Sequence, residues 1–192
     1  MNEAPLQHLT DALLKIIRAA TMRIVDIAEQ NDGVVDAQTV AVWRDNVAAA
    51  IVEYHTAAMI AGNDGKPLNP GMQGQLSEIV ATQLNYLENF AEEVAAGKIT
   101  PAQISARADM YAPAIRQPYS AGFTGGLPLP AMPAEGTICH TNCKCSWNIV
   151  PIDEEAGDYD CYWIRGADDS CSTCIARARE WSPIRIRGLT LQ

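Results

Sequence analysis

From Leu6 to about Ala28, Leu6, Leu9, Leu13, Ile16, Ile17, Ala20, Ile24 and Ile27 recur every three or four residues, with Lys15, Arg18 and Arg23 between them. That period predicts an amphipathic helix of about six turns. Asn31-Asp32-Gly33 supplies a stop, and Asp36 is placed to cap a second helix carrying Val40, Trp43, Val47, Ala50, Ile51, Tyr54 and Ala58 and ending near Gly62. The stretch from Asn63 to Gly71 is dense in turn formers and reads as an exposed loop. A third helix is expected from about Met72 to Ala96, with Leu76, Ile79, Val80, Gln83, Leu87, Phe90 and Val94 on one side. Thr100-Pro101-Ala102-Gln103 has the form of a capping box and opens a fourth helix, which Pro113 and Pro118 should kink or end early.

The period then breaks. Gly122 to Gly136 holds four glycines and three prolines, including Gly125-Gly126-Leu127-Pro128-Leu129-Pro130, and suits neither a helix nor a central strand. We read it as a linker or an extended arm, ordered over Phe123 to Pro133 mainly by contact with another subunit. Beyond it, Cys145/Trp147/Ile149 and Cys161/Trp163 alternate as one face of a hairpin whose turn lies within Pro151 to Asp158, and a short helix starts at Cys171. The expected fold is therefore mainly α: a helical body of about four antiparallel helices over 1–121, an arm over 122–138, and a cysteine-rich β-hairpin module over 139–192.

Composition sharpens this division. The chain has 192 residues, 48% of them hydrophobic, enough for one good core and a small second one. The net charge of -9 disfavours non-specific nucleic-acid binding over the whole surface. No apolar run approaches the roughly 20 residues that span a bilayer, and the start lacks the basic region and cleavage site of a signal peptide, so folding in a cytoplasm is expected.

All six cysteines fall between Cys139 and Cys174. Cys139-x3-Cys143-x-Cys145 and Cys171-x2-Cys174 flank the hairpin, and four thiolates at about 2.3 Å from one metal would make a closed, structural zinc site. The expected ligands are Cys171 and Cys174 with two of Cys139, Cys143 and Cys145. Disulfides are the competing reading, with 15 ways of forming three. Cys161 is expected in the core or paired with Cys139, and His140 beside the ligands rather than among them. A redox role for C-x2-C would need a thioredoxin-like setting that the pattern does not offer. With His8, His55 and His140 as the only histidines, no nucleophile and base pair can be argued, and no phosphate-binding glycine loop is seen. The expectation is a protein that is not an enzyme.

Several segments together resemble a known family. Gln83-Leu84-Asn85-Tyr86-Leu87-Glu88-Asn89-Phe90-Ala91, Ala106-Arg107-Ala108-Asp109-Met110-Tyr111-Ala112, Leu127-Pro128-Leu129-Pro130-Ala131-Met132-Pro133 and Cys139-x3-Cys143-Lys144-Cys145-x-Trp147 are similar to the minor head proteins of tailed bacteriophages, of the head-morphogenesis type of phages Mu and SPP1 and of related prophages. Asp160-Cys161-Tyr162-Trp163 and Cys171-x2-Cys174 followed by Trp181-Ser182-Pro183 extend the likeness over roughly residues 40 to 187. The resemblance implies a virion component of the head, assembled in the host cytoplasm, present in multiple copies, touching major capsid or portal protein, and with no catalytic residues. A second expectation comes from the residues alone. The same cysteines, with Arg177, Arg179, Arg185 and Arg187 near the C-terminus, suit a zinc-ribbon-like adaptor that binds nucleic acid or a regulatory protein.

Overall fold

The computed structural model describes residues 4–133, 135–139, 143–166, 170–188 and 190–191. The chain is mainly helical with one small antiparallel sheet. Helices α1 (Ala4–Gln30), α2 (Ala37–Gly62) and α3 (Pro70–Ala95) are followed by the shorter α4 (Pro101–Asp109), a 3-10 turn (Pro113–Ile115) and α5 (Arg116–Phe123). Strands β1 (Ser146–Asp153) and β2 (Asp158–Ile164), helix α6 (Ser172–Glu180), and strands β3 (Ile184–Arg187) and β4 (Thr190–Leu191) complete it. None of the described helices is long and apolar enough to cross a membrane.

Local chemistry sets the helix ends. After α1, Gly33 takes a φ of 87° and its N–H donates to the Ala28 carbonyl at 2.8 Å, a backbone reversal that a side chain would strain. The Thr39 N–H donates to the Asp36 carboxylate at 2.9 Å, capping α2. Helix α3 begins two residues before its expected start, because Asn69 accepts from the Met72 N–H at 2.9 Å and Pro70 occupies the first helical position. Thr100 and Gln103 make the reciprocal capping box, and Pro113 ends the fourth helical run as a 3-10 turn before α5.

The chain divides into two compact units. One holds Asn2–Ala58 and Leu76–Ile115. Its core includes Leu13, Ile17 and Ile24 of α1, Ile51 of α2 and Leu87 and Phe90 of α3, all almost fully removed from water. Trp43 meets the Phe90 ring edge-on at 5.2 Å and donates its indole N–H to Thr21 at 3.2 Å. Tyr111 stacks on Phe90 at 6.5 Å, and the Arg107 guanidinium lies 4.6 Å from the same ring while pairing with Glu93. Arg18 holds Asp109 through both carboxylate oxygens, joining α1 to α4.

The other unit holds Met59–Gln75 and Arg116–Gln192. Here the end of α2 and α5 approach so closely that two glycines are obligatory. A Cβ on Gly62 would lie 2.0 Å from the Tyr119 carbonyl oxygen, and one on Gly122 would lie 2.0 Å from that of Met59. The glycine- and proline-rich segment that follows is irregular, as expected, but it is no free arm. Leu127 enters the apolar cluster of the sheet, and Ala131, also buried, accepts the Trp147 indole N–H at 2.9 Å. Prolines forbid the regular ladders without forbidding burial, so the segment packs on its own chain.

The sheet order is β1-β2-β3-β4. Trp147 lies opposite Trp163 and Ile149 opposite Cys161, which puts the expected residues on one face. Strands β3 and β4 were not expected from the sequence. Ile186 lies opposite Tyr159 and Ile184 opposite Cys161, so the second and third strands extend the same apolar face. Trp147, Trp163 and Trp181 meet there, with centroids 5.2 to 6.1 Å apart.

Candidate metal centre

The cysteines sit where regular structure begins. Cys143 and Cys145 are on the chain entering β1, Cys171 is the N-cap residue of α6 and Cys174 lies in its first turn. Cys139 follows Thr137, whose hydroxyl lies 3.4 Å from its sulfur. The hairpin carries one group of thiols to the start of α6, where the other group waits. Close packing at the entrance to β1 depends on Gly166, since a Cβ there would lie 1.9 Å from the Lys144 carbonyl oxygen.

Five sulfurs converge. Cys139, Cys171 and Cys174 form one triad and Cys143, Cys145 and Cys174 another, the sulfurs within each lying no more than 4.8 Å apart. The Sγ atoms of Cys139 and Cys174 are 3.8 Å apart, those of Cys143 and Cys174 3.8 Å, and those of Cys171 and Cys139 3.5 Å. Disulfide sulfurs would be about 2.0 Å apart, and all six cysteines are free thiols. The edge of a tetrahedron with bonds of about 2.3 Å is about 3.8 Å, so the observed separations fit thiolates around a metal ion. The disulfide reading, including a Cys139 to Cys161 bond, is replaced by a cluster able to bind a metal.

Burial closes the site. Cys143, Cys145 and Cys174 are 2%, 3% and 0% exposed, while Cys139 and Cys171 are half-buried. The thiols differ in acidity. Burial pushes Cys171 up, but the backbone N–H groups of Cys174 and Cys139 and the neighbouring thiols outweigh it and bring Cys171 down to about 6. Burial raises Cys139 and, more strongly, Cys174, where the surrounding sulfurs add to the effect. Cys171 thus ionises readily while Cys139 and Cys174 resist adding further charge, and a cation would remove that resistance.

The sixth cysteine stands apart. Cys161 is fully buried between Ile149 and Ile184 in the ladder, and burial beside Asp160 pushes its thiol up to about 11. It is a core residue. His140 lies outside the described residues. Two of the four C-terminal arginines turn out to be internal struts. Arg177 lies over the rings of Trp163 and Trp181 and donates to the Glu135 carbonyl at 2.8 Å, while Arg187 donates to Asp160 and to the Tyr159 carbonyl. Sequence reasoning missed these contacts, although the alternation Ile184-Arg185-Ile186-Arg187 is the period of a strand.

Comparison with protein-family models, with curated proteins and with solved structures finds no match.

Proposed function

We propose that this chain is a structural minor head protein of a tailed bacteriophage, non-catalytic, present in several copies in the virion head, and in contact with major capsid or portal subunits during assembly. Its thiol cluster holds a structural zinc ion in this reading. The observation that carries the proposal is the closed cysteine centre joined to a helical body. Three of its five sulfurs are nearly or wholly out of water, the form of a site that fastens a fold rather than one that admits a substrate. The resemblance supplies the setting. The segment Cys143-Lys144-Cys145 leads directly into β1, and the Arg107-x-x-Met110-Tyr111 segment ends α4, with Tyr111 stacked on Phe90.

Zinc suits the donor set because it accepts four thiolates without redox change and without a geometric demand beyond the tetrahedron. The adaptor reading is weakened by the arginines, since Arg177 and Arg187 are engaged within the module and leave Arg179 and Arg185 as the exposed pair. The test is the protein composition of purified particles. The chain is expected in mature heads at a fixed ratio to portal or capsid protein. Its presence in infected-cell extract alone, with salt-sensitive binding to DNA, would favour the adaptor.

A further inference from the structure

The five sulfurs are not placed alike. They fall into two triads, one formed by Cys139 and Cys171 and the other by Cys143 and Cys145, each completed by Cys174. We infer that Cys174 is the one indispensable ligand, and that the other four thiols fill the three remaining positions interchangeably, so that the metal is kept when any one of them is lost. This rests on the zinc reading above and goes beyond it by giving the centre a spare ligand.

Distances single out Cys174. Its Sγ lies 3.8 Å from that of Cys139 and 3.8 Å from that of Cys143, one neighbour in each triad, and both separations match the edge of a tetrahedron with metal–sulfur bonds of about 2.3 Å. A shell that takes one triad whole and its fourth sulfur from the other always contains Cys174. A shell without it would have to be assembled from the two outer pairs, and no triad draws on both. The backbone points the same way. Of the five, Cys174 alone lies within a regular element, in the first turn of α6, and it is wholly buried in the apolar cluster. Cys139, Cys143 and Cys145 lie on irregular chain and Cys171 at the N-cap, where neither a ladder nor helical hydrogen bonds hold the backbone against a small adjustment. Whichever three complete the shell, a fourth thiol stands beside it, ready to replace one that is removed.

The full chain, stripped of metal and titrated with Co(II), is expected to bind one ion with the intense sulfur-to-metal absorption of a tetrathiolate site. Alanine at Cys139, Cys143, Cys145 or Cys171, one at a time, should keep that spectrum and bind within about tenfold of the unmutated chain, no more than loss of a partner outside the shell costs. Cys174→Ala should lose the four-sulfur signature and bind more than ~100-fold more weakly. Cys161 supplies the control, because it is as deeply buried in the same apolar cluster and lies outside both triads, so Cys161→Ala leaves a similar cavity with every ligand in place. Unmutated chain loaded with zinc gives a second reading that no folding defect can obscure. After brief treatment with iodoacetamide, singly labelled chains that still carry zinc in the native mass spectrum should bear the label on one of the four and never on Cys174. Loss of the four-sulfur signature in any of the four single variants, its retention in Cys174→Ala, two ions per chain, or a zinc-bearing chain labelled at Cys174 would overturn the assignment. Failure of the unmutated chain to bind Co(II) or zinc would instead remove the metal reading beneath it.

Discussion

The helical unit and the sheet module within the other unit are held by different means. In the helical unit, long helices supply Leu13, Ile17, Ile24, Ile51, Leu87 and Phe90 to a core that buries apolar surface in quantity. In the sheet module the apolar cluster has eight buried members, and four of them, Cys143, Cys145, Cys161 and Cys174, are cysteines. A small module of short strands and one nine-residue helix has little apolar area to bury, so in the proposed reading thiols joined by a metal would replace part of the core it lacks. On that reading the helices are stabilised by area and the module by a cross-link, which makes their expected sensitivities different.

Removing the cross-link is expected to have the largest effect. Structural zinc sites in small domains supply on the order of 10 kcal/mol of binding free energy at neutral pH. Chelation, or Cys171→Ser with Cys174→Ser, should therefore unfold the module. Trp147, Trp163 and Trp181 report on the module and Trp43 on the helical unit, so most of the near-ultraviolet tryptophan signal should go while the far-ultraviolet helix signal largely persists. Loss of both signals together would erase the contrast. Next in size is Phe90→Ala, which removes the ring shared by Trp43, Tyr111 and Arg107 and should cost about 3 to 5 kcal/mol in denaturant titrations, with metal content unchanged.

Acid should also distinguish the units. His55 is wholly buried, its Nδ1 lies 2.8 Å from the Ile51 carbonyl and its Nε2 has no partner among the described residues. Burial lowers it from 6.5 to about 4. As pH falls the unfolded chain takes up this proton before the folded one. The stability carried by the neutral ring is therefore intact above about 6.5 and declines towards 4, by about 3 kcal/mol at most. His55→Leu should flatten that slope in the unfolding free energy of the helical unit. A slope that persists in the variant would assign the acid sensitivity elsewhere. The smallest effect expected is that of Thr100→Ala, which breaks the capping box of α4 and should cost about 1 kcal/mol, read as a small shift in the helical transition only.

Much of this was legible in the sequence because the signals were periodic or local. The three long helices, the capping box, the hairpin face and the five converging cysteines follow from spacing, and the structure reproduces them. What escaped had two readings at the level of residue type. Asn69-Pro70 looks like loop punctuation, yet it is a cap followed by the first helical position. Arg185 and Arg187 drew attention as charge, although Ile184 and Ile186 between them mark a strand that charge alone conceals. Leu127 and Ala131 sit among glycines and prolines that suggest exposure, and only the tertiary contacts show them buried.

The central claim, that a metal stands in for a core in the sheet module, is tested most directly by the mass of the whole chain. Under native conditions at neutral pH it should carry about one zinc ion, and after denaturation with chelator it should show all six cysteines as free thiols. A metal-free chain that is nonetheless folded, with its mass lowered by the hydrogens lost to disulfide bonds, would contradict the account.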